Sequence, residues 1–188
     1  GGTYTVGMRV GDEGPQVATY KPVNDPRRTA RADDLLAQFN FLIKVRDRTT
    51  DANDGVKTIR NVRAHLQERA AAAPRLRRLA TEIDSAMAKV EREVYQVKNQ
   101  SGQDPLNYPV RLNNRIAALA GVAGSGPYRP TAQAEQVYTV LSESLEVQLT
   151  SLRKILSEDL DRFNKEAKKA KQPPVVPRAE DVPARPVI

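Results

Sequence analysis

The residue types best suited to recognition or chemistry gather in one stretch, Lys98 to Arg115, KNQSGQDPLNYPVRLNNR. Within it Gln103, Asp104, Asn107, Tyr108, Arg111, Asn113 and Asn114 bring amide, carboxylate, phenol and guanidinium groups close together in sequence. Such groups can hold a ligand or a partner through hydrogen bonds. The same groups also serve to satisfy the backbone of an irregular crossover packed on a bundle, because each buried polar group needs a partner. The structural role is the expectation here, with partner contact as its rival.

Outside that stretch the chemical signals are thin, and neither a catalytic residue, a cofactor nor a metal is predicted. His65 is the only histidine and there is no Cys, which excludes disulfides, thiolate metal sites and Cys nucleophiles. Asp47, Asp51, Asn53, Asp54 and Gly55 miss the calcium-loop spacing, since Gly55 falls where a ligand belongs. The carboxylate pairs Asp33-Asp34, Glu91-Glu93 and Glu158-Asp159 are expected on outer helix faces. Glycoside hydrolysis instead needs two acids facing each other across a cleft. No G-x-S-x-G, P-loop or dinucleotide fingerprint occurs. The run KEAKKAK, residues 165–171, puts positive charge where a helix macrodipole favours it.

The 188 residues carry a formal charge of +7, from 30 basic and 23 acidic side chains. These mostly alternate in sign, as in KVEREVYQVK, the pattern of solvated helix faces rather than of a nucleic-acid footprint with interleaved aromatics. No apolar run approaches the ~18 residues of a membrane span. The chain opens on Gly-Gly with neither an initiator Met nor a signal peptide, so its natural start is expected upstream.

The elements that would position the central stretch are set by periodicity. Residues 3–10 alternate, with Tyr4, Val6, Met8 and Val10 on one face, and QVATYKPV offers a second strand after the GDEG turn. The pattern at Gly2, Tyr4 and Val6 looks like the tyrosine-corner strand of an immunoglobulin-like or fibronectin-like sandwich. Residues 1–25 are therefore expected to be a hairpin that ends a truncated sandwich, or else a self-contained hairpin packed on helices. Asn24-Asp25-Pro26 breaks the strand, and Thr29 or Asp33 is the expected cap of the next helix.

Residues 30–171 are predicted as an antiparallel bundle of three long helices plus one short one, with an irregular crossover at 100–130. The first helix, about Ala32 to Ala70, has Leu35, Phe39, Leu42, Val45, Thr49, Ala52, Val56, Ile59, Val62 and Leu66 as its seam. It is expected to run through Gly55. Ala73-Pro74 turns the chain into a second helix, Arg75 to about Asn99, with Leu76, Leu79, Ile83, Met87, Val90, Val94 and Val97 inward. Pro109 should open a short helix to about Val122. Thr131 should cap the last helix, which carries a regular stripe to about Lys171. Residues 172–188 hold five prolines and are predicted to be extended, either docked or as a disordered linker.

Two segments carry a family resemblance. QVKNQSGQDPLNYPVRLNNRIAALAGV at 96–122 and LLAQFNFLIKVRDRTTDANDGV at 35–56 resemble the C-terminal region of large bacterial sortilin-like proteins. Those proteins are built of Asp-box β-propellers and are often labelled glycosyl hydrolases. The resemblance implies a non-enzymatic structural or interaction module at the end of an exported protein, periplasmic, outer-surface or extracellular. Its partners would be its own upstream propellers or another protein, without nucleic acid. Two alternatives stand beside this: an accessory region of a glycoside-hydrolase-like enzyme, or a scaffold subunit of a cell-envelope complex. No S-x-D-x-G-x-x-W box and no Trp occurs in this chain, so no active site is carried over.

Overall fold

A computed structural model describes residues 2–23 and 25–178. The expected roles of Gly1, Asn24, Val182, Val187 and Ile188 lie outside the described residues. The chain is mainly helical, with a two-stranded antiparallel hairpin at its start.

The helices form three rods. The first is α1, Ala32–Ala72, a single helix of 41 residues that is about 60 Å long at roughly 1.5 Å per residue. The second runs the other way in two pieces, α2 (Arg77–Val94) and α3 (Leu112–Ala123). The third rises parallel to α1 as α4 (Ala132–Lys154), a π-helical segment (Ile155–Asp159) and α5 (Leu160–Lys169).

Pairwise contacts fix these directions. Arg63 and Arg60 of α1 meet Asp84 and Glu91 of α2, while Gln38 and Asn53 meet Ala123 and Asn113 of α3. Thus α2 covers the C-terminal half of α1 and α3 covers the N-terminal half. Along the third rod, Asp34, Lys44 and Arg48 meet Arg129, Tyr138 and Glu146 in ascending order. The short helix is therefore the continuation of the middle rod, not a fourth rod beside it.

One core joins all five helices, and within it Val45, Ile59, Leu66, Ile83, Met87, Ile116, Leu145 and Phe163 are almost wholly buried. The seam of α1 holds from Val45 to Leu66. It differs near the start: Phe41 is buried and meets Tyr138 edge-on with ring centroids 5.7 Å apart, whereas Phe39 is exposed. The two positions lie about 200° apart on a helix of ~3.6 residues per turn, so only one can face the core, and α4 lies on the side of Phe41.

Helix ends depart from expectation for local reasons. The Asp34 carboxylate accepts the Arg31 N–H at 3.1 Å, so neither Thr29 nor Asp33 caps α1. At the other rod Thr131 does cap α4, accepting from the Ala134 N–H at 3.1 Å. Helix α2 stops at Val94 rather than Asn99, because Tyr95 is extended (φ −133°, ψ 142°) and leaves Val97 exposed. Pro109 precedes α3 instead of opening it.

The hairpin pairs β1 (Tyr4–Met8) with β2 (Gln16–Tyr20), in a register that sets Tyr4 opposite Tyr20 and Val6 opposite Ala18. The two tyrosine rings stack with centroids 5.6 Å apart. Both strands are exposed along their length, contrary to the half-buried face expected of them. Among the described residues the hairpin shares no packed interface with a helix, so it is not a hairpin seated on the bundle.

At the middle of the bundle α1 and α4 approach through Gly55. A Cβ there would stand 3.0 Å from Leu149 Cδ2 and 3.7 Å from Leu152 Cδ2. A glycine costs a helix about 1 kcal/mol against Ala, and this close approach accounts for it. Gly55→Ala is expected to change unfolding free energy by less than about 1 kcal/mol, the helix gain offsetting displacement of Leu149. Gly55→Leu should destabilise by about 1–3 kcal/mol through overpacking, read from urea denaturation of the two variants.

Candidate functional site

Two clusters of polar side chains sit where the middle rod is interrupted. The first is the crossover, residues 95–111, and the second is a set of charges locking α1 to α2 just beside it.

The crossover is tied down from within. The Asp104 carboxylate accepts the Ser101 N–H at 2.7 Å and also the Gln100 N–H. Those backbone bonds, Gln100 first, hold its pKa below the ordinary carboxylate value. Its carbonyl accepts from Asn107 and Tyr108, both at 2.9 Å, closing a 3₁₀ turn at Asp104–Leu106. Gln96 does as much: its Nε2 donates to the Pro109 carbonyl at 2.9 Å and its Oε1 accepts the Lys98 N–H at 3.3 Å. Lys98 Nζ lies 5.2 Å from the centre of the Tyr108 ring, within cation–π range.

Thus the seven residues singled out from sequence divide by direction. Asn113 is 2% exposed and donates from Nδ2 to Asn53 Oδ1 at 3.3 Å, while its own Oδ1 is buried without a partner among the described residues. Arg111 reaches Glu93 at 3.7 Å, and its Nε is likewise buried and unpaired among the described residues. Tyr108 and Asn114 are half-buried, and Asp104 faces its own loop. Gln103 and Asn107 point to solvent on either side of Leu106, which is 85% exposed. No two of the seven bring titratable groups together.

The second cluster was hidden in sequence among alternating charges. Glu91, expected on an outer face beside Glu93, is 4% exposed. Both of its oxygens are engaged, Oε1 by Arg60 Nε and Oε2 by Arg63 Nη1, each at 2.7 Å. Arg63 also donates to Asp84 at 2.7 Å, and Arg60 lies 4.7 Å from the centre of the Tyr95 ring. The Arg63 pKa is raised, chiefly by the Asp84 bond and against its partial burial. Position 91 lies four residues after Met87 and three before Val94, inside the apolar stripe. That phase, together with arginines at i and i+3 on the facing helix, is the signal that would have found it. Both oxygens are thus held by guanidinium groups on a carboxylate that is almost wholly buried.

The other candidates stay apart. Among the described residues His65 makes long contacts only, 3.5 Å to Asn61 and 3.5 Å to Glu68. Among the described residues no group of three or more His, Cys, Asp or Glu side chains could hold a metal ion, and no helix is long and apolar enough to cross a membrane.

A third ion cluster, Arg48, Glu146 and Arg153, ties α1 to α4 on the surface. Arg48 donates to Glu146 at 2.8 Å and to the Ser142 carbonyl at 2.8 Å, and Arg153 closes on the other carboxylate oxygen. These bonds, Arg48 first, depress the Glu146 pKa to about 2. Comparison with known families, curated proteins and solved structures finds no match to this chain.

Two effects are expected of changes to these clusters. Glu91→Ala leaves two guanidinium groups facing a protein interior and should cost about 3 kcal/mol, whereas Glu91→Leu combined with Arg60→Met and Arg63→Met should recover most of it. Urea denaturation of the single and triple variants checks this. Glu146 titrates lower in the folded state than its ordinary 4.5, so its contribution is complete above that pH and is lost as pH falls through about 2. The stability gap between the unmodified chain and Glu146→Gln should therefore close on acidification across that window, tracked by thermal melts at each pH.

Proposed function

We propose that this chain is a non-catalytic structural and interaction module whose hairpin completes a β-surface supplied from outside the bundle. One observation carries the reading. Tyr4, Val6, Met8, Val17 and Tyr20 are each more than half exposed, on a hairpin that no described helix covers. Two strands alone are marginal in water, and independent stability takes further strands or a packed helix. A β-sandwich that ends in this hairpin would supply both. The polar clusters agree with this reading: Glu91 and Asp104 are spent on internal bonds, which suits a support better than a reaction centre.

Placement of the module at the C-terminus of an exported sortilin-like propeller protein rests on the sequence resemblance of residues 35–56 and 96–122. In that setting the covering β-surface belongs to the upstream domain of the same protein. Buttressing a distant glycoside-hydrolase-like cleft, or serving as a subunit of an envelope scaffold, are the readings it competes with.

Amide hydrogen exchange tests the proposal. In the isolated 188 residues, Thr5 and Thr19 should exchange with little protection while the α1 and α4 amides stay protected. Joined to the preceding region of the parent protein, the strand amides should slow by at least tenfold with the helices unchanged. Equal protection of the hairpin in both forms would overturn the proposal. So would release of sugar from glycans by the isolated chain that disappears with Asp104→Asn.

A further inference from the structure

The last described residues do not leave the bundle. After α5 the chain turns through Lys171, which has φ 56°, and the Gln172 N–H donates back to the Ala167 carbonyl at 2.9 Å. That is the six-to-one bond of a Schellman motif. The turn reverses the chain, and residues 173–178 run back along the groove between α1 and α5. Their direction is set by their partners. Arg69 Nε donates to the Pro173 carbonyl at 3.2 Å, Asn164 grips Val175, and the Arg178 N–H donates to Asn61 Oδ1 at 3.3 Å.

The grip on Val175 is two-sided. Asn164 Nδ2 donates to the Val175 carbonyl at 2.9 Å, and Asn164 Oδ1 accepts the Val175 N–H at 2.8 Å. One carboxamide closes both main-chain groups of one residue, as an adjacent strand would. That contact reads backbone and is indifferent to side chain. Selectivity comes from Val175 itself, which is 2% exposed and joins the core that holds Phe163 and Leu66. Pro173, Pro174 and Pro177 keep the segment extended and bring no N–H that would need an acceptor. An open space of about 250 Å³ remains between the segment and α1, against His65, Arg69, Pro174, Val176 and Arg178. A residue larger than valine therefore fits at position 176, whereas position 175 is enclosed.

We infer that the groove between α1 and α5 is a peptide-recognition site for an extended, proline-flanked segment with one β-branched side chain opposite Asn164, and that residues 173–178 are the ligand it holds in cis. The short Schellman connection gives this ligand a high effective concentration. A free peptide of the same sequence therefore meets an occupied groove unless the chain's own segment is released. The inference is independent of what covers the hairpin.

The test uses the full chain carrying Val175→Asp, which puts a charge where the core expects an aliphatic side chain. Val175→Ser takes its place if circular dichroism shows helix loss. The probe is the peptide Gln-Pro-Pro-Val-Val-Pro-Arg, monitored through the Asn164 side-chain NH₂ signal by NMR up to millimolar concentration. The expected result is saturable binding to the variant. It should be at least tenfold weaker for a peptide with Asp at the first valine, and at least tenfold weaker for the unmodified chain. No shift of the Asn164 signal in the folded variant would overturn the inference, as would equal binding to variant and unmodified chain.

Discussion

A helix of 41 residues presents an apolar seam too long for any single neighbour in this chain to cover, and the rest of the bundle answers that constraint. Helices in proteins draw most of their stability from a packed face, so every turn of α1 between Val45 and Leu66 must find cover. The third rod covers only the N-terminal part of it, where α4 packs from Phe41 to Gly55. The middle rod covers it in two pieces, α2 over one half and α3 over the other, with the crossover between them. The close approach at Gly55 draws α1 against Leu149 and Leu152 near the level where the middle rod is broken.

The same constraint decides what the polar groups can do. A seam wide enough to hold three rods takes in positions at its margin, and Glu91 is one of them. Its burial is tolerable because two guanidinium groups from α1 meet both oxygens, which fixes the relative register of the first two rods. Asp104 and Gln96 serve the crossover in a parallel way, each meeting main-chain groups that a continuous helix would have paired for itself, while Asn113 ties α3 to Asn53 of α1. Glu91, Asp104 and Gln96 are turned on neighbouring protein groups, whereas among the described residues Asn113 Oδ1 and Arg111 Nε stay buried and unpaired.

The sequence disclosed the rods well and their cross-section less well. Periodicity located α1, its passage through Gly55, the Thr131 cap and most of the α2 seam, because these depend on neighbours three or four residues apart. It misplaced Phe39 against Phe41, since the choice is made by where α4 lies, nearly a hundred residues on. It ran α2 through to Asn99 because Val97 keeps the phase, while the actual stop depends on Gln96 finding the Pro109 carbonyl. Proline and glycine marked the crossover clearly. Which of its polar residues turn inward was not legible, because the partner of Asn113 is Asn53 on another rod. Alternation in the hairpin correctly predicted pairing but not burial, as a strand pattern does not say whether anything lies against it. The prolines after Gln172 announced an extended backbone and were silent about where it goes, which is settled by Asn164 and Arg69.

The interruption of the middle rod also bears on mechanics. Near the level of Asn53 and Asn113 only two backbones continue from one end of the molecule to the other, while above and below that level there are three. Resistance to flexing grows steeply with the number of struts bonded side by side, so this level is the most compliant point of the shaft. A load applied at one end reaches the other through α1 and the third rod alone, and the π-helical segment lies within one of those two paths.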